Sequence, residues 1–224
     1  MTATTQRADE SIKKDIVDEL YWDGRVDASN VEVTVDDGKV NLSGHVPTRV
    51  SRFLVFEDTW SVKGTRAVKN DIKVKLPEGA KKPTDEEVKH RIEEFLSWEH
   101  GLNEDVNVKV RDSIVTLSGT VGSYWQKDAA EDATNKVNGV LDVENLISIA
   151  PTDNLVDEVI AEGIVNAMDR NVDVDAEDID VKVEQGKVTL GGSIPSYWAW
   201  RAAIRAVSNA NGVVELEDHL VISP

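Results

Sequence analysis

The chain has 224 residues, with 42 acidic and 25 basic side chains giving a formal charge of −17. It has no cysteine, which excludes disulfides, thiolate metal sites and cysteine nucleophiles. The acidity is uneven, at net 0 for residues 1–82, −8 for 83–151 and −9 for 152–224, which argues against nucleic acid or an anionic membrane surface as a partner of the last two stretches.

Residues Met1–Glu10 are polar and lack an apolar h-region, so with Met1 as the true start no secretory signal is expected and the protein is placed in the cytoplasm. No apolar run reaches the length of a membrane span. From there a pattern of about 70 residues is written three times. It begins with a helix in which Ile12, Ile16 and Leu20 recur at helical spacing, echoed by Val88, Ile92, Leu96 and by Ile160, Ile164, Met168. Thr84 and Glu87 form a capping box ahead of the second of these helices.

A strand follows, alternating as Val31, Val33, Val35, then Val106, Val108, Val110, then Ile179, Val181, Val183. Asp36-Asp37-Gly38, Arg111-Asp112-Ser113 and Glu184-Gln185-Gly186 turn it into a hairpin. The second strand carries the most regular signature, with Gly44, Gly119 and Gly192 spaced 75 and 73 residues apart. The alternation directs these glycines inward, to where a helix is expected to cross the sheet closely. On that reading Gly119→Val overpacks its unit at a cost of about 1–3 kcal/mol.

Thr48, Ser123 and Ser196 are N-caps for a second helix, and Gly64, Gly139 and Gly212 its C-terminal stops. A third strand closes each unit. The strand–helix–strand crossover is expected to be right-handed and to make the outer pair parallel. The predicted fold is α+β: three tandem α-β-β-α-β modules over residues 8–76, 84–150 and 152–223, each a small mixed three-stranded sheet with two helices on one face.

The motifs Leu117-Ser118-Gly119-Thr120-Val121 and Gly139-Val140-Leu141-Asp142-Val143-Glu144-Asn145, repeated in register, resemble the BON domain of bacterial osmotically inducible and nodulation proteins. Asn70 and Asn145 match the strand asparagine of that family, and Asp218 replaces it in the third copy. The resemblance implies a non-enzymatic binding module linked to envelope and osmotic stress protection and to phospholipid association. It implies a periplasmic setting for many members, and potassium binding in one cytoplasmic branch.

The residues themselves offer little catalytic or metal chemistry. His45, His90, His100 and His219 share no ligand spacing, and Ser43 and Ser118 lack the nucleophile-elbow context. Asp173, Asp175, Glu177 and Glu184 imitate a calcium loop but place Asp178 where that loop needs glycine. No cofactor, metal or catalytic residue is therefore assigned, leaving weak cation binding as the only ionic alternative.

The stronger signal is aromatic. In the first unit Val50, Leu54 and Val62 are the expected core face of the second helix, leaving Phe53, Phe56 and Trp60 as a further stripe flanked by Arg49 and Arg52. The third unit repeats it with Tyr197, Trp200 and Ile204 beside core candidates Trp198, Ala202, Ala203 and Ala206. These stripes are expected to bind a phospholipid surface, a protein partner or a second copy of the chain, or to pack between units.

Overall fold

The computed structural model describes residues 7–98, 102, 106–151 and 155–223. Met1–Gln6, His100 and Thr152 lie outside them. The first module comprises α1 (Asp9–Trp22), β1 (Val31–Asp36), β2 (Lys39–Val46), α2 (Arg49–Ser61), β3 (Ala67–Asn70) and β4 (Lys73–Val74). The second comprises α3 (Asp85–Trp98), β5 (Val106–Arg111), β6 (Ile114–Val121), α4 (Tyr124–Asn135) and β7 (Asp142–Ile149). The third comprises α5 (Asp157–Asp169), β8 (Ile179–Glu184), β9 (Lys187–Ile194), α6 (Tyr197–Ser208) and β10 (Glu215–Ile222), with a short 3-10 turn at Ala176–Asp178. The architecture is the α+β one read from the sequence, with the long middle strand central in every sheet.

That middle strand pairs antiparallel with the strand before it and parallel with the strand after the crossover helix. The parallel pair is thus the second and third strands rather than the two outer ones, because the crossover returns the chain beside the strand it left. The periodic residues of the first helices, Ile12, Ile16, Leu20 and their counterparts, are all buried, and each module holds its own apolar core.

Three repeated polar devices hold these small cores in register. The carboxylate at the start of each first helix accepts both backbone N–H groups of its hairpin turn. Asp9 takes Asp37 and Gly38 at 2.9 Å each, Asp85 takes Asp112 and Ser113 at 2.8 and 3.0 Å, and Asp157 takes Gln185 and Gly186 at 2.8 and 2.9 Å. Each carboxylate also sits at the positive end of its own helix. The N-caps Thr48, Ser123 and Ser196 accept from Ser51, Gln126 and Ala199 as expected. The family asparagines tie the third strand to the crossover helix, Asn145 Nδ2 donating to Lys127 O at 3.0 Å. In the third copy Asp218 does the same work in reverse, accepting from Trp200 Nε1 at 2.6 Å.

The glycine roles differ from the sequence expectation. Gly44 and Gly192 do not lie under a helix. A Cβ on Gly44 would stand 2.0 Å from Asn30 O, and one on Gly192 2.2 Å from Asp178 O, both backbone atoms of the segment entering the first strand. Gly44, Gly119 and Gly192 also have φ of 99°, 131° and 120°, in the region that penalises any side chain. Helices do approach Gly64, Gly139 and Gly212. These are not immediate stops but lie beyond the helix ends, and a Cβ there would meet Ile12 of α1 at 2.9 Å, Val88 of α3 at 3.1 Å with Pro83 just ahead of that helix at 2.6 Å, and Ile160 of α5 at 2.7 Å. In the first and third modules the glycine pattern therefore marks two tight approaches, and helix packing belongs to the second.

Candidate functional site

The second helices of the three modules are where the chain departs from three independent copies. The face of α2 turned into its own core is short: Ser51, Val55 and Thr59 are buried, while Val50 is exposed and Leu54 half-buried. Small hydroxyl residues suffice because Thr59 returns its hydroxyl to Val55 O at 2.7 Å. In α6 the buried face is Tyr197, Ala199, Ala203 and Val207, and Trp198, expected inside, is exposed. Val62 and Ala203 are buried as expected, and Ala202 and Ala206 pack on the same core, whereas Val50 and Trp198 stand outside because hydroxyl and alanine positions carry much of the core contact.

Counted from the residue after each N-cap, Arg49, Tyr124 and Tyr197 hold the first position, and Trp60, Asn135 and Ser208 the twelfth. At two junctions these positions meet, Arg49 with Asn135 and Tyr197 with Trp60, and at the third Tyr124 packs into the next module. Arg49 reaches into the second module, donating from Nε to Asn135 Oδ1 and from Nη1 to Asp142 Oδ1 at 2.8 Å. Tyr124 packs on the core of the third module. Burial and then the carboxylates of Asp128, Glu131 and Glu215 raise its phenol pKa, and Glu215 is the counterpart of Asp142. Tyr197 closes the circuit by stacking on Trp60 of the first module, centroids 5.2 Å apart and planes 8° from parallel. Contacts from the first module to the second, the second to the third and the third to the first thus form a ring within one chain.

This arrangement places the predicted stripes. Phe56, Trp60, Tyr197 and Trp200 form one aromatic cluster, with Phe56 edge-on to both Trp60 and Tyr197 and Trp200 stacked on Tyr197 at 5.5 Å. Arg201 ion-pairs with Glu57 and lies over Phe53 and Trp198, 5.7 and 5.8 Å from their ring centroids. Ile204 and Trp200 pack against the core of their own module rather than standing free. Of the eight candidate residues, then, Phe56, Trp60, Tyr197 and Arg49 serve contacts between modules. Phe53 stays 48% exposed, and Arg52 spends one donor on Asn70 O at 3.3 Å.

The most exposed aromatics lie elsewhere, at positions the sequence reading passed over. Trp22 and Trp98 end α1 and α3 at equivalent positions, 80% and 66% exposed. Each has an edge-on companion, Tyr21 at 5.7 Å and Phe95 at 5.4 Å. The third module offers Val172, 98% exposed, just past α5. The signal was legible in principle: Trp22 and Trp98 fall off the Ile-Ile-Leu face at the same offset in two repeats.

One titratable group is unusual. Asp58 on α2 faces Asp23, the residue that closes α1, and its Oδ2 is buried without a donor. Burial and then the charge of Asp23 push its pKa up to about 6, whereas hydrogen bonds from Arg25 hold Asp23 near 2. Among the described residues no group of three or more His, Asp or Glu side chains is placed to hold a metal ion, and the acidic run spends Asp175 on capping Glu177 N. No helix among them is long and apolar enough to cross a membrane.

Comparison with known proteins matches the BON domain model three times, over residues 8–75, 84–151 and 156–224. Among curated proteins, osmotically-inducible protein Y of Escherichia coli strain K12 is 29% identical over 127 residues, which cover 54% of this chain and 62% of that protein. Among solved structures, CdsD, a structural protein of the type III secretion system of Chlamydia trachomatis, aligns over 96% of this chain and 93% of that one. It is 14% identical with a TM-score of 0.28, too low for a shared arrangement to follow.

Proposed function

We propose, from the premise that this chain belongs to the BON-domain family in three consecutive copies, that it is a non-enzymatic binding protein of the osmotic or envelope stress response that associates with phospholipid surfaces. The stress setting rests on the osmotically inducible relative. The contact surface is assigned to the ends of the first helices. The observation that carries it is the pair of equivalent tryptophans, Trp22 and Trp98, each with a second ring and each too exposed to serve its own core. An indole with an apolar face and a polar N–H suits the headgroup layer of a bilayer. The net charge of −17 favours zwitterionic over anionic headgroups. The stripes on α2 and α6 take little part, because most of their rings are engaged between modules.

Sedimentation with phosphatidylcholine vesicles tests this. The expected result is binding with a blue shift of tryptophan emission, lost in a Trp22→Ala, Trp98→Ala double variant. Absence of binding by the unaltered chain, or binding undiminished in the double variant, refutes it. The alternative is a protein scaffold burying the same rings against another chain. Light scattering separates the two, since a scaffold that self-associates gives a mass that falls in the double variant without any vesicle present.

A further inference from the structure

A cleft of about 540 Å³ opens where the three crossover helices meet, with walls from all three modules. Its floor is apolar: Phe53 and Phe56 from α2 beside Val50 and Leu54. Its rim is basic in a chain that is otherwise strongly acidic. Arg49 and Arg201 on that rim are already paired with Asp142 and Glu57. Arg52 and Lys136 are not. The Arg52 guanidinium meets one backbone carbonyl, Asn70 O, and Lys136 is exposed at the end of α4 with no carboxylate within ion-pair distance among the described residues. One carboxylate, Asp132, lines the cleft against them.

We propose that this cleft binds a small aromatic carboxylate. A planar ring would lie against Phe53, while the carboxylate would take the free donors of Arg52 and the ammonium of Lys136. A guanidinium and a carboxylate match as a two-donor, two-acceptor fork, and Phe53 is held at 48% exposure with only the Arg201 guanidinium over it. The volume falls within the range of small-molecule pockets, and a floor of rings with a few convergent polar groups is their usual composition. Because the walls come from three modules, an occupant would also brace the ring. This site is separate from Trp22 and Trp98 and stands whether or not the chain binds vesicles.

The test is calorimetric titration of the full chain with a naphthoate and with the matching uncharged naphthalene methanol. The expected result is saturable one-to-one binding of the carboxylate, with the alcohol about tenfold weaker or more, the value of a charge-assisted hydrogen bond. Lys136→Glu, at an exposed position that leaves the fold intact, and Arg52→Gln are each expected to weaken the naphthoate by about tenfold. Vesicle binding in both variants is expected to match the unaltered chain, which keeps a failure here distinct from a failure of the lipid reading. No saturable heat, equal affinity for acid and alcohol, or unchanged affinity in both variants overturns the proposal.

Discussion

Replacing Ser113 by glycine should make the protein more stable, which is unusual for a buried position. The hairpin turn of the second module places Asp112 and Ser113 at φ of 53° and 67°, the same left-handed conformation that its counterparts reach with Asp37-Gly38 and Gln185-Gly186. Serine has a Cβ there, and a left-handed residue other than glycine costs roughly 1–2 kcal/mol. The hydroxyl adds to this, since Ser113 is fully buried and its Oγ has no partner. An unsatisfied buried hydroxyl costs roughly 1–3 kcal/mol. Against these stands the larger entropy of glycine in the unfolded chain, roughly 0.5–1 kcal/mol. The backbone N–H that Asp85 accepts remains in place. The balance is a gain of about 1–4 kcal/mol, at about 2–4 °C of melting temperature per kcal/mol for a chain of this size. Urea and thermal unfolding measure it directly. Equal or lower stability for Ser113→Gly would mean that the hydroxyl is hydrogen-bonded in solution or that the turn relaxes away from the left-handed region, and the reasoning would fail.

Gly44→Ala should cost about 2 kcal/mol or more, because its Cβ would meet Asn30 O at 2.0 Å at a φ of 99°; a neutral result by urea melt would show that the strand entry shifts freely. Asp58→Asn should stabilise the protein at neutral pH. Its carboxyl is raised from 3.8 to about 6, so the native state loses stability as pH rises across that window. Denaturant midpoints of the variant and the unaltered chain should converge near pH 4 and separate above pH 6; a gap independent of pH would sink the assignment. Trp60→Ala should cost about 2–4 kcal/mol and broaden the denaturation curve as the first module uncouples from the third, while a sharp single transition would show that the stack carries little coupling.

Much of the fold could be read from residue spacing. Ile12-Ile16-Leu20 and its two echoes lie at helical period, the strands alternate, and the N-caps are where hydroxyl residues stand, so each local cause points to one structure. The asparagine in the third strand could be named but not explained until its contact with the crossover helix was visible. In α6 the alanines read as core do pack there and only Trp198 stands out, while in α2 the buried face runs through Ser51 and Thr59, residues weak in any hydrophobic pattern, and leaves Val50 exposed. The glycines were misassigned for a related reason. Spacing reveals that a Cβ is unwelcome but not whether a helix or a strand backbone stands opposite. The ring between modules has no local signature at all. Arg49, Tyr124 and Tyr197 are chemically unlike, and only shared geometry reveals that they do one job.

A closed ring has no natural first member. The contact from the third module back to the first is the counterpart of the one from the first to the second, which the chain spans with the short segment between β4 and α3. A segment of similar length joining residue 223 to residue 7 should therefore bridge that gap, and the break can be moved between the first and second modules. Such a circular permutant would begin at the second module and end on the first, with every interface intact.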